Sequence, residues 1–338
     1  MNSNKSFVKK ITESRNFGLC LVLVVLLVMA KILTPSMYSF NSIISMLQNN
    51  AVYGILAIAE MMVILTGGID ISIGSILSFV GIVCTRLMAE NTGIPAVTWV
   101  ALSMVLGGAC GAFNGLIVGY FKMVPMIATL GSMYIFRGLA FLVSGGQWWF
   151  PHQFTQGYQN FATMRIAGIP TILFFVLIIF IIAYIFLEFT APGRRIYAIG
   201  TSKDSSKVAG IKENKTTFYA MVICGVLAGL SGMLYTANYA TGSYGIGEGY
   251  EMTAISICIL GGVSINGGKG KVDGVFLGFL AMSIITYFIS LLPGLSVWSD
   301  ALQGAIIIAA VVMNLYTERS AAKRALNVLY RGSLLPLQ

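Results

Sequence analysis

"TILFFVLIIFIIAYIFLEF", Thr171 to Phe189, runs nineteen residues with one ionisable side chain, Glu188, near its far end. A helix in a soluble core keeps a polar face, and this stretch has none. Its length suits one bilayer crossing, which takes about 20 apolar residues. Immediately outward lies "PGRRIYAIGTSKDSSKVAGIKENK" (Pro192 to Lys215), charged and turn-rich, and then a second apolar run, "TFYAMVICGVLAGLSGMLYTA" (Thr217 to Ala237). The loop between them holds six of the chain's 21 Lys and Arg residues. Two membrane-length runs joined by a basic loop indicate an all-α, polytopic membrane protein. The whole chain agrees: it is 57% hydrophobic and only 10% charged, where a soluble domain carries about 25% charged residues.

Apolar runs bounded by Gly, Pro, Asn or charge predict about ten transmembrane helices in a single transmembrane domain over 1–338. The approximate spans are 17–34, 43–66, 69–85, 97–119, 125–144, 171–189, 217–237, 251–264, 273–291 and 300–316. The third and eighth are short and Gly-flanked, which suits half-length or re-entrant segments. With both termini cytoplasmic, 17 of the 21 basic residues fall on the inner side, as the positive-inside rule requires. They include the loop at about 190–216 and a basic tail at about 317–338. The apolar stretch after Lys5, Lys9, Lys10 and Arg15 is long for a signal peptide and has no small-residue cleavage site, so it is expected to stay as the first helix. The net charge of +9 is then a topology signal, and no nucleic-acid partner is expected. On the outer side, Trp148, Trp149, Phe150, Tyr158 and Phe161 of the Ser144–Gly168 loop suit a water–lipid interface. The same loop carries His152, the one histidine of the chain. The five cysteines lie in or beside apolar runs without C-x-x-C spacing and read as small apolar fillers, with no metal site.

The basic loop has local logic of its own. Pro192 and Gly193 stop the preceding helix. "RRIYAIG" gives two cations at the membrane surface and an apolar strip ending at Gly200. Ser202 is a good N-cap, Asp204 meets the positive end of the helix dipole, and Gly210 suits the C-terminal cap. Val208 and Ile211, three apart, share a face. A short amphipathic helix with an apolar edge follows, where an ordinary topology loop would need none.

Charges inside the membrane runs are costly and stand as functional candidates: Glu60, Asp70, Arg137 and Glu251. Asp70 follows Gly67-Gly68 and is equally a natural N-cap, and Glu251 begins its helix in the same way. Glu60 has no local polar partner. Arg137 either pairs across helices or snorkels outward. Asn114 has two roles open to it, bonding a sugar hydroxyl or bridging two helices. "GGACGAFNG" (Gly107 to Gly115) and "GVLAGLSG" (Gly225 to Gly232) space small residues for close helix packing. "NGGKGKV" is no phosphate loop, because Val263 stands where the pattern needs Gly and Lys269 is followed by Gly270. A weak echo relates "ILTGGIDISIGSILSF" (Ile64 to Phe79) to "ILGGVSINGGKGKVDGVFLGF" (Ile259 to Phe279), each with a Gly pair at an inner turn.

"GRRIYAIGTSKDSSKVAGI" resembles the cytoplasmic loop of permease subunits from ATP-binding-cassette importers of simple sugars, the ribose/galactose/autoinducer type. "GGIDISIGSI", "GAFNGLIVGYFKMVPMIATLGSMYIFRGLA", "GYEMTAISICILGGVSINGGKGKVDG" and "WSDALQGAIIIAAV" resemble that family's segments in the same order. The resemblance implies a bacterial inner-membrane permease, itself no enzyme and without cofactor. It would work with a second permease chain (homodimer or related heterodimer), a cytoplasmic ATPase that binds ATP and Mg, and an extracytoplasmic binding protein. It further implies that Gly193, Arg194, Arg195, Tyr197, Gly200, Ser202, Asp204, Lys207, Val208, Ala209, Gly210 and Ile211 form the segment that couples to the ATPase. Glu60, Asp70, Asn114, Arg137 and Glu251 are the candidates for the translocation path. The rival is a secondary transporter driven by protons or sodium, which Glu60 and Asp70 would serve. Within the permease class, a furanosyl signal, a nucleoside or a branched-chain amino acid are further substrates. A membrane enzyme would need a nucleophile–base or metal constellation at bilayer depth, and the residues offer none.

Overall fold

The structure, a computed structural model, describes residues 38–291 together with Trp298, Ala301, Gly304, Ala305 and Ile308. The expected spans 17–34 and, almost entirely, 300–316 lie outside the described residues, as do the basic N-terminal segment and tail. In chain order the helices are α1 (Phe40–Ile64), α2 (Ile73–Glu90), α3 (Ala96–Gly115, continued by a π-helical turn Leu116–Tyr120) and α4 (Pro125–Ser144). After a short helix α5 (Gln156–Thr163) and a two-residue hairpin, Arg165–Ile166 against Ile169–Pro170, come α6 (Thr171–Phe189), α7 (Ala191–Thr201) and α8 (Lys203–Val208). The rest are α9 (Glu213–Tyr239), α10 (Tyr250–Leu260) and α11 (Val272–Leu291).

Seven of these helices are long and apolar enough to cross a membrane: α1, α2, α3 with its π turn, α4, α6, α9 and α11 up to Ser290. Expected span 251–264 is the short α10, eleven residues and so roughly 16 Å of helix, about half a bilayer core. Expected span 69–85 differs. It is the full-length α2, displaced towards the C-terminus because Thr66–Ser72 form an irregular turn in which the amides of Asp70, Ile71 and Ser72 are taken by side chains.

Two helices carry the core. α1 is buried almost continuously from Asn50 onward, and it packs on α6, α9, α10 and α11. α9 packs on α1, α2, α3 and α5. The two Gly-rich stretches singled out in the sequence meet each other: a Cβ on Gly107 would strike the carbonyl of Gly225, and one on Gly225 would strike that of Gly107. Small residues there let the backbones of α3 and α9 touch, which is how membrane helices gain van der Waals contact.

The basic loop, the π turn with Lys122, and the turns Leu65–Gly68 and Gly261–Lys271 sit at one end of the bundle. Lys122 pairs with Glu213 at 3.1 Å, and the Gly268 amide donates to the Leu65 carbonyl at 3.0 Å. The opposite end holds the Ser144–Gly168 loop, where Arg86 donates to the Val143 carbonyl. Trp148 and Phe150 are exposed there as expected. Trp149 and Tyr158 are not: both are buried. Trp149 bridges to Gly242, and the Tyr158 hydroxyl lies 2.7 Å from Thr236 Oγ1. A buried ring with a bonded polar tip needs no lipid interface.

Candidate functional site

Thr190 makes the corner between α6 and α7. Its hydroxyl donates to the Phe186 carbonyl at 2.6 Å and accepts from the Gly193 amide at 3.2 Å. The helix therefore ends at Phe189, three residues before Pro192, which sits in the first turn of α7, where its missing N–H costs nothing. "RRIYAIG", read in the sequence only as two cations and an apolar strip, is helical as a result. Ile196 and Ile199 face inward while Arg194 and Arg195 face out.

Gly200 has no free side-chain volume. A Cβ there would strike the Leu65 carbonyl and the Gly268 amide. Tyr197 donates its hydroxyl to the Gly270 carbonyl at 2.9 Å. α7 is thus fastened to both Gly turns, and the turns to each other. A Cβ on Gly267 would lie 2.7 Å from the Gly67 amide, and both glycines have φ of +84°. Only glycine combines that backbone with so close an approach. The two turns that echo each other in sequence therefore touch each other.

Beyond α7 the chain folds the small helix α8. Ser202 caps it, accepting from the Ser205 amide at 3.2 Å, with Asp204 in the first turn and Lys207 in the last. At its end the Ile211 amide donates to Ser206 and the Gly210 amide to Lys207, with Gly210 at φ +75°. This is a complete Schellman closure around a left-handed glycine. Ile211 lies past the helix end and is half-buried, so it does not share the exposed face. That face is Val208, 90% exposed, with Ala209 beside it. Glu213 bonds Lys203 at 3.0 Å and Lys122 at 3.1 Å, bracing α8 against α9 and the π turn.

Behind the turn that α7 touches, three sequence candidates converge. The Asp70 amide donates to Glu60 Oε1 at 3.0 Å. Asp70 Oδ1 accepts from the Ser72 amide and hydroxyl at 2.8 and 2.6 Å. Asn114 Nδ2 donates to Ser72 Oγ at 2.8 Å and reaches Asp70 Oδ2 at 3.5 Å. Ser72 is the N-cap residue of α2, so Asp70 acts two residues before the cap, through an Asx turn. Three members escaped the sequence reading, Ser72 among them. Thr129 Oγ1 accepts from the Ile71 amide at 3.1 Å, and Cys224 Sγ lies 3.8 Å from Asp70 Oδ2. These six side chains come from α1, the turn, α3, α4 and α9, so no spacing in the sequence could join them. Among the cysteines, Cys224 therefore does more than fill space. Three successive amides, Asp70 to Ser72, are each satisfied by a side chain, as irregular buried backbone must be.

Arg137 and Glu251 form a separate group. Arg137 Nη1 donates to the carbonyls of Tyr244 and Ile246 at 2.8 and 2.7 Å, holding the 240–249 loop against α4. Glu248 and Glu251 lie within electrostatic reach of it. A Cβ on Gly74 would strike Glu251 Oε2 and the Gly247 carbonyl, so the loop lies directly on the first turn of α2. Among the described residues no group of three His, Cys, Asp or Glu could hold a metal ion.

At one end of the bundle, α7 is fastened to the first Gly turn, and that turn carries the buried polar knot. Over residues 42–311 the chain matches the family described as "Branched-chain amino acid transport system / permease component". It belongs to that permease family. The permease is 32% identical to the ribose import permease of Escherichia coli strain K12 over 87% of this chain and 92% of that one. The D-allose transport permease of the same organism is 31% identical (88% and 91% covered). An autoinducer 2 import permease of Photorhabdus laumondii is 30% identical (88% and 90%). No solved structure matches it. With seven crossing-length helices among the described residues, the permease is a multi-pass membrane protein.

Proposed function

We propose that this permease is the membrane subunit of an ATP-driven importer for a simple sugar or sugar-like molecule, in a bacterial inner membrane. A second permease chain completes the path, a separate ATPase on the side of α8 binds ATP and Mg and hydrolyses the nucleotide, and a soluble binding protein delivers the substrate on the other side. The permease itself carries no cofactor. The observation that supports this best is the α7–α8 lever: an exposed apolar tip at Val208 and Ala209 on a helix capped at both ends, joined to a helix without slack at Gly200. The relatives named for ribose, allose and autoinducer 2 favour a sugar-like substrate.

The mechanism follows from the contacts. The ATPase grips the Val208 tip and, on closing over ATP, displaces α8 and α7. Because Gly200 abuts Leu65 and Gly268 with no gap, the displacement reaches both Gly turns. The first turn carries Asp70, tied to α1, α3, α4 and α9 through Glu60, Asn114, Thr129 and Cys224. Close-packed interiors pass on such a shift as a switch between two packings, not a gradual bend. Glu60 and Asp70 are tied into this knot, and the ion-coupled alternative would require them to be free to load and release an ion.

The test is co-purification in mild detergent from the native host. Wild type should bring an ATPase with it, and Val208→Asp should lose it while keeping its melting temperature. Val208 is the side chain to change, since Ile211 closes α8. Wild type that transports with no ATPase attached would overturn the proposal.

A further inference from the structure

Between the end of α6, α7 and the first turns of α9 lies a cleft of about 440 Å³. Phe186, Tyr219 and Ile223 line its apolar side, and Arg195, Lys212 and Lys215 its basic side. No acidic residue lines it, and none of the three cations makes an ion pair among the described residues. The neighbouring depression around α8 shares Lys212 and Lys215 with it, and differs in carrying two acidic residues, Asp204 and Glu213. The apolar side belongs to the crossing-length helices α6 and α9, while Arg195 lies on α7, Lys212 just before α9 and Lys215 in its first turn, so the cleft lies at the boundary of the bilayer.

Three unpaired cations above an aliphatic and aromatic wall call for an anion that carries its own hydrocarbon. We propose that this cleft binds one anionic phospholipid. Its phosphate meets Arg195, Lys212 and Lys215, and an acyl chain runs along Phe186, Tyr219 and Ile223. A free phosphate would leave the apolar wall wet. A zwitterionic lipid would bring a further cation to the three already present. The lipid would wedge the root of α7 against α6 and α9, steadying the lever at its hinge. The inference stands on the cleft alone and does not require the importer reading.

The experiment is native mass spectrometry of the full-length chain, delipidated and then offered equal phosphatidylglycerol and phosphatidylcholine. One phosphatidylglycerol should be retained per chain, preferred by about tenfold or more. The preference should fall towards parity in Arg195→Gln/Lys215→Gln and partly in Lys215→Gln, an exposed single change that keeps the test readable if the double variant misfolds. Tyr219→Asn should weaken retention of phosphatidylglycerol while inorganic phosphate fails to displace it. Equal retention of both lipids by wild type, or an unchanged preference in a folded double variant, would overturn the proposal. So would displacement by inorganic phosphate.

Discussion

At Gly200 a single hydrogen separates α7 from the Leu65 carbonyl, which makes this residue the most sensitive point of the lever. Gly200→Ala must push α7 away from the turns, and overpacking of this kind costs about 1–3 kcal/mol. Uptake should fall steeply while the ATPase still co-purifies, because α8 is untouched; a pull-down beside an uptake assay separates the two. Glu60 makes a different point. Glu60→Gln keeps an oxygen for the Asp70 amide and should keep transport at every pH tested, whereas an ion-driven carrier would lose it. Glu60→Leu strands that buried amide and should cost about 1–3 kcal/mol, read as a lower melting temperature.

α8 has only six residues, so its caps supply much of what holds it in shape. Removing an N-cap hydroxyl costs about 1 kcal/mol. Ser202→Ala should therefore weaken ATPase retention in the pull-down and leave the melting temperature of the bundle nearly unchanged, since α8 contributes almost nothing to the core. The caps at Ser202 and Gly210 were legible in the sequence because capping is local chemistry. The helicity of α7 was not, because Pro192 marks both the end of one helix and the start of the next. The hydroxyl of Thr190 decides between them by closing both ends of the corner.

Across the whole molecule, α4 leaves one face open. Ile127, Leu130, Tyr134 and Ile135 are exposed on it, and Gly131 and Gly138 have open space where a side chain would stand. Glycines seven apart on an apolar face allow a close helix–helix approach, and the proposed second permease chain is expected to pack here. In a Cys20→Ser background, Gly138→Cys should give a disulfide-linked pair on mild oxidation in membranes. The remaining four cysteines are buried and should not compete. A monomer on non-reducing gels would move the interface elsewhere.

The sequence by itself determined the class, most of the crossing-length helices within the described residues and the capped helix α8. Each of these rests on local properties: hydrocarbon content over about twenty residues, and hydrogen bonds between residues three or four apart. It also marked Glu60, Asp70 and Asn114, since polar groups in apolar runs stand out one at a time. The tertiary structure alone decided that these three meet each other together with Ser72, Thr129 and Cys224, while Arg137 and Glu251 stand apart holding a loop. It alone showed that Gly67, Gly200 and Gly267 interlock. Contacts between groups scores of residues apart in sequence depend on how helices cross and how closely their backbones approach, and that geometry exists only once all the helices are packed.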